Sequence, residues 1–267
     1  MSLLAIGDNC VDFYRELDVS FPGGNALNVA VYSSRILGIR AGYVGVVGTD
    51  ERGDFILDQM RRNGLSTEHV GRVAGETAVT TISVRDGDRF FDEYIEGVQQ
   101  GAVFPREELD YASGFDVVHY TVWGLGREYV PEMKERGGPL LSCDFSSEID
   151  SPATEIMPYM DYSFFSGRHL LEGGEEPRSV VETLGGRTRG VVVMTLGEHG
   201  SLAFDGGRMY VGEAAPVEVV DTLGAGDAFI ASFLCSRLKG MDIPVSLAEG
   251  HIAASEICGR LGAWGGV

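Results

Sequence analysis

Lysine is nearly missing from this chain: Lys134 and Lys239 are the only two in 267 residues. Neither closes a GxxxxGK[ST] loop or sits in a strand resembling VAIK, which excludes Walker-type nucleotide hydrolases and protein kinases. Basic charge as a whole is scarce, with 21 Lys plus Arg against 40 Asp plus Glu and a formal net charge of −19. A nucleic-acid groove or an anionic membrane face needs a positive field, so neither partner is expected. Long apolar runs are also absent. None approaches the roughly 20 residues that cross a bilayer, and Asp8 interrupts the start too early for a secretory leader; a cytoplasmic protein is expected. The four cysteines, Cys10, Cys143, Cys235 and Cys258, are dispersed, with no CxxC pair and no histidines at zinc spacing. They read as reduced, mostly buried thiols. The opening Gly7-Asp8-Asn9-Cys10-Val11-Asp12 carries no GxGxxG, which argues against a dinucleotide-binding dehydrogenase.

At 44% hydrophobic, the chain suffices for one sizeable core and is short for two enzyme domains, so residues 1–267 are read as a single domain. Short apolar runs alternate with amphipathic segments, the pattern of a doubly wound α/β sandwich with a mainly parallel sheet. Strands are expected at Leu3–Ile6, Tyr43–Val47, Val117–Tyr120, Leu140–Phe145, Tyr162–Phe165, Val191–Thr195 and Val217–Val220. Helices are expected near Asn25–Leu37, Phe55–Arg62, Tyr129–Arg136, Pro177–Leu184, Gly226–Lys239 and Pro244–Gly259. One stretch departs from the alternation. Thr77–Val84 and Arg89–Ile95 read as a hairpin around Asp86-Gly87. With Val11–Leu17 it can form a small sheet, either a lid over a ligand or a static edge; residues of about 11–21 and 77–98 would build it.

Val219-Val220-Asp221-Thr222-Leu223-Gly224-Ala225-Gly226-Asp227 is the most informative segment. A β-branched run enters a glycine-rich turn that opens a helix. The amides of Gly224, Ala225 and Gly226, with the positive helix end, make an anion site that needs no lysine. Asp227 beside it is expected to stay ionised and to take the proton of an attacking alcohol, or else simply to cap its helix. A second segment, Gly23-Gly24-Asn25-Ala26-Leu27-Asn28, allows close ligand approach to another helix start. Asn25 and Asn28, three apart, either meet sugar hydroxyls together or serve as cap and surface residue.

In combination and order these segments, with Thr195-Leu196-Gly197-Glu198-His199-Gly200, resemble the ribokinase/PfkB family of carbohydrate kinases over essentially the whole chain. The resemblance implies a ribokinase-like three-layer α/β/α sandwich with a small β-lid, and a kinase using ATP with Mg2+. It implies Asp227 as catalytic base and Gly224, Ala225 and Gly226 as the anion hole. Asp12, Gly24 and Asn28 would bind the sugar, and Thr195, Gly197 and Gly200 would lie along the nucleotide. Two positions depart from the family. Ser166 and His169 stand where Asn-x-x-Glu usually does, leaving the protein ligands of magnesium undefined, and His251 stands where an adenine-contacting Asn is common. His251 either bounds the base or is a buried helix histidine. Within the family, Tyr94–Val98, Val122-Trp123-Gly124, Cys143–Ser146 and Gly262-Ala263-Trp264 resemble the fructosamine branch. That implies phosphorylation of fructoselysine on its C6 hydroxyl; another sugar, a sugar acid or a nucleoside is the alternative within the fold, and a non-catalytic binding protein the alternative outside it. For the cationic amine of such an acceptor, Asp92, Glu93 and Glu96 are candidate partners, and Arg85 and Arg89 for its carboxylate. A homodimer through the lid occurs in some of the family and is a further expectation.

Overall fold

The computed structural model describes residues 1–85 and 88–264. Thirteen strands are assigned among them: β1 (Ser2–Ile6), β2 (Cys10–Tyr14), β3 (Val19–Gly23), β4 (Arg40–Gly48), β5 (Val70–Val73), β6 (Val79–Arg85), β7 (Asp88–Ile95), β8 (Val117–Thr121), β9 (Leu140–Asp144), β10 (Tyr162–Ser166), β11 (Val191–Thr195), β12 (Ser201–Phe204) and β13 (Met209–Gly212). The helices are α1 (Asn25–Arg35), α2 (Glu51–Arg62), α3 (Glu108–Ala112), α4 (Val130–Arg136), α5 (Arg168–Glu172), α6 (Pro177–Gly185), α7 (Ala225–Leu238) and α8 (Ile243–Cys258).

β1 is buried on both faces, so its sequence is continuously apolar after Ser2 instead of alternating. Leu3 and Ala5 enter one core with Ala26, Leu27, Phe229, Phe233 and Leu247 of α1, α7 and α8. Leu4 and Ile6 enter a second core with Leu109, Val130, Met133 and Val181 of α3, α4 and α6. This period-two split makes the three layers. The central sheet runs β13-β12-β11-β10-β9-β8-β1-β4-β5, parallel from β11 to β5, with β12 and β13 antiparallel at one edge. The α/β sandwich expected from the alternation is therefore present.

A second, four-stranded sheet, β3-β2-β6-β7, stands apart. β2 pairs antiparallel with β3 and parallel with β6, and β6 closes on β7 as a hairpin. The Asp86-Gly87 turn and the side chains of Arg85 and Arg89 lie outside the described residues. A register shift between Thr81 and Ile82 interrupts the hairpin's alternation, and β7 ends at Ile95, so Glu96 is no longer a strand residue. Asp92 is held by Ser83 Oγ at 3.0 Å and by Arg15 at 3.4 Å. Strand alternation would place Asp92 and Glu96 on one face only if β7 continued past Ile95, and it does not. The residue set opposite Asp12 is Thr80 and, across it, Tyr94.

Val217–Val220 is not a strand. Val219 and Val220 are each 59% exposed, and the amides of Val220 and Asp221 both donate to the Cys258 carbonyl, at 2.8 and 3.2 Å. The sheet edge is already occupied by β13, and the segment instead satisfies the unpaired C-terminal carbonyls of α8. β-branched propensity loses here to tertiary pairing.

Candidate active site

The site is built at the carboxyl edge of the central sheet. After β1, Gly7 turns the chain in a conformation with φ +154°, packed so tightly that a Cβ would lie 2.7 Å from Thr121 Oγ1. Asp8 follows and serves as a remote cap for α1. Its Oδ2 accepts from the Asn25 amide at 2.7 Å, and its Oδ1 from the Ala26 amide at 3.3 Å and the Thr121 hydroxyl at 2.6 Å. A carboxylate at a helix N-terminus is favourably placed against the helix dipole. Gly24, at φ +102°, has room for no side chain because a Cβ would overlap the backbone of Asn9; one on Gly23 would overlap the Asp12 carboxylate. The double glycine therefore lets β3 and α1 close on the first loop, and only the backbone of Gly24 can be offered to a ligand.

Opposite, the turn before α7 is tied down by Asp221, which takes the Tyr14 hydroxyl, the Leu223 amide at 2.9 Å and the Gly262 amide at 3.0 Å. Gly224 has left-handed φ (+76°) and packs on Tyr32 and Ala263. The Ala225 amide turns back to Thr222 O at 3.3 Å, and the helical ladder begins with Ala228 N to Gly224 O at 3.0 Å. The Gly226 amide lies between them, in the first turn whose donors lack intrahelical acceptors. A Cβ on Gly226 would meet no atom within 4 Å. Of the three small residues, Gly224 is thus demanded by the protein's own packing and Gly226 borders open space.

Asp227 is only 7% exposed. Asn28 Nδ2 donates to its Oδ2 at 2.7 Å, and the Trp264 indole donates to Asn28 Oδ1 at 2.5 Å. One amide hydrogen and the carbonyl oxygen of Asn28 are thus engaged by protein, and Asn28 orients the aspartate. Burial pushes the Asp227 carboxyl well above the ordinary carboxylate range; the Asn28 bond opposes this, and the negative fields of Asp144, Asp8 and Asp12 add to it. Asp144, at the end of β9, is raised to about 6 by burial, against bonds from the Ser146 amide and the Asn25 side chain and with the field of Asp8. Asp12 is likewise buried. The carboxylates of Asp8, Asp12 and Asp144 therefore lie near enough to act on Asp227, and together they make one acidic region. Tyr94 lies over it from β7, its hydroxyl held protonated by partial burial and then by Asp8, Cys10, Glu96 and Asp12.

The residues expected along a nucleotide form a neighbouring group at the ends of β10 to β12. Thr195 closes β11, its carbonyl accepting from the Gly167 amide at 2.8 Å. Gly197 is exposed in the left-handed region (φ +61°). Gly200 is buried, and a Cβ there would overlap the Gly212 carbonyl, so it serves the turn. His251 is buried on α8, with Nε2 2.8 Å from Ser201 Oγ and its ring edge-on to Phe229 at 5.0 Å. Burial lowers its pKa. The buried-histidine alternative is the one this geometry fits.

The model of the pfkB family carbohydrate kinases matches residues 16–118 and 155–265. The chain belongs to that family. It is 38% identical over 264 residues to the fructoselysine 6-kinase of Escherichia coli strain K12, covering 98% of this chain and 99% of the relative. With the fructosamine kinase FrlD of Bacillus subtilis strain 168 it shares 34%, covering 99% and 93%. The fold matches Arabidopsis thaliana ribokinase, solved with ribose and ATP, at a TM-score of 0.84 and 20% identity, over 98% of this chain and 93% of that one.

In this carbohydrate kinase, no helix among the described residues is long and apolar enough to cross a membrane. Nor do three or more His, Cys, Asp or Glu side chains among them converge to hold a metal ion, and Ser166 and His169 are both exposed. The donor set among the described residues does not fit a protein cage for magnesium. Asp144, Trp264 and Tyr94 were not singled out individually as site residues by their local patterns. A strand-terminal acid, as at Asp144, is the one signal that points to any of them.

Proposed function

We propose that this kinase transfers the γ-phosphoryl group of ATP to the C6 hydroxyl of fructoselysine, with Asp227 as base. The observation that carries the chemistry is the juxtaposition of a buried, Asn28-oriented Asp227 with the unobstructed Gly226 at the start of α7. An acceptor hydroxyl at Asp227 loses its proton to the carboxylate as its oxygen forms the new bond to phosphorus. The bond between the γ-phosphorus and the bridging oxygen breaks, and ADP leaves. Amides at the start of α7 hold the phosphoryl oxygens as negative charge shifts. A raised carboxyl pKa suits this role, because proton acceptance is most effective when the base's pKa approaches the working pH. Asp12 and the Gly24 backbone contact the sugar; Thr195, Gly197 and Gly200 shape the nucleotide strip, with His251 beneath it. Magnesium accompanies ATP on its phosphates, and no step runs through protein ligands to it.

The acceptor assignment rests on the two fructosamine-directed relatives, at 38% and 34% identity over nearly the full chain. The pocket supports it: an Amadori amine is cationic near neutral pH, and Asp8, Asp12 and Asp144 supply a strongly negative field. The β3-β2-β6-β7 sheet is proposed to close over this pocket as a lid, and its exposed Val19 and Ile95 to pair with a second copy. Comparing kcat/KM for fructoselysine, fructose and ribose, with the product position assigned by NMR, tests the assignment. Preference for either plain sugar overturns it.

A further inference from the structure

A cleft of about 450 Å³ opens beside the pocket, between the loop that follows β8 and the 3-10 segment Pro152–Tyr159. Its lining includes Ala102, Gly124, Arg127, Glu128, Glu155 and Ile156. It adjoins the acidic pocket on two sides. Gly124 packs directly on Gly7, one residue before Asp8. Ala102 lies just beyond the turn Gly97–Gln99, through which the lid returns to the body and whose Gln99 side chain holds the Asn9 carbonyl. Trp123, at the same loop, leaves its large ring 55% exposed.

Arg127 carries the argument. Its Nη1 is buried without a hydrogen-bond partner, although Glu128 and Glu155 line the same cleft. A buried, charged donor left unpaired is costly, and such groups are normally satisfied. The Tyr120 hydroxyl, within the electrical reach of Glu128, is likewise buried and unpaired. A cleft offering one cation and two carboxylates repels a polyanion such as a nucleotide and suits a zwitterion, whose carboxylate takes the guanidinium and whose ammonium takes the acids.

Resting on the fructosamine reading above, we propose that this cleft binds the free amino-acid end of the acceptor. Arg127 takes the α-carboxylate, Glu128 and Glu155 take the α-ammonium, and Trp123 covers the methylenes between. Only a sugar attached through the lysine side-chain nitrogen keeps both α-groups free, so the cleft selects ε-linked fructoselysine over sugars attached at the α-nitrogen.

The test compares ε-fructoselysine, its Nα-acetyl derivative and fructosyl-butylamine, which keeps the cationic amine and an alkyl chain but no amino-acid head. For the wild type, kcat/KM should favour ε-fructoselysine over fructosyl-butylamine by roughly 10–100-fold, the range of charge-assisted hydrogen bonds, with most of the difference in KM. R127Q should lose that preference through a raised KM for ε-fructoselysine, while kcat stays within a few-fold. Acetylation should cost the wild type about 10-fold. The proposal is overturned if the wild type treats ε-fructoselysine and fructosyl-butylamine alike, if R127Q slows both equally, or if acetylation costs nothing. A wild type that prefers plain fructose to all three overturns the fructosamine reading as well, and so the two failures are told apart.

Discussion

Trp264 determines which way the Asn28 amide faces. Because the indole N–H can only donate, the Asn28 oxygen must turn toward it, and Nδ2 is thereby aimed at Asp227. W264F removes that donor and keeps an aromatic ring in place. It should lower kcat by about 5–30-fold and move the acid limb of the rate profile to higher pH, since a less firmly held Asn28 stabilises the Asp227 carboxylate less. Steady-state kinetics across pH, with a thermal melt to confirm folding, check this.

D227N should keep the fold and lose kcat by roughly 10²–10⁴, the usual worth of positioned proton transfer. Its melting temperature near neutral pH should not fall, because a carboxyl penalised by burial and three acidic neighbours is replaced by a neutral amide. Turnover within a few-fold of wild type in a folded D227N would remove Asp227 from the role of base.

The glycines separate ligand space from packing. G226V puts its side chain where no protein atom lies within 4 Å, so the folded state should persist while phosphoryl transfer is lost. G24A, at φ +102° and against the Asn9 backbone, should instead melt at markedly lower temperature or fail to accumulate. Calorimetry alongside an ADP-release assay distinguishes the two.

Asp144 gives a pH test of known sign. Its folded-state pKa of about 6 lies above the ordinary 3.8, so the folded protein binds the extra proton between those values. Stability from this group is full below about pH 4 and declines as pH rises through 6. D144N abolishes that decline, and its melting temperature relative to wild type should be higher at pH 7 than at pH 4.5. Removing a negative neighbour also lowers the Asp227 pKa, shifting the acid limb of kcat/KM to lower pH. An unmoved limb would mean that the two carboxyls do not couple.

Closure of the small sheet is read by hydrogen exchange. Amides of β6 and β7 should slow when the acceptor sugar is added, before any nucleotide. Unchanged exchange at saturating acceptor would make this sheet a static wall.

How far the sequence revealed the site varied with the range of the contacts involved. Asp227 stood out because the turn, the glycines and the helix start are consecutive residues, and the core strands because burial on both faces leaves uninterrupted apolar runs. Val217–Val220 misled because its β-branched composition is local, whereas its true partner, the Cys258 carbonyl, is set by the packing of α8. Asn28 and Asn25 were correctly placed on one helix turn. Their partners were not, because Asn28 bonds Asp227 and Trp264 across 199 and 236 residues. Asp144 looked like any strand-terminal acid until burial and Asp8 could be seen around it.

The span of that last pairing has a consequence for how the molecule is made. A chain leaving the ribosome presents Asp8, Asp12 and Asn28 early, but Asn28 waits 236 residues for the indole that aligns it. The Asp221 junction likewise waits for Gly262, 41 residues after it. The base is therefore without its aligned partner throughout nearly all of translation, and full turnover waits until synthesis has reached Trp264. A truncation just short of that residue should give a folded body that turns over at least as slowly as W264F.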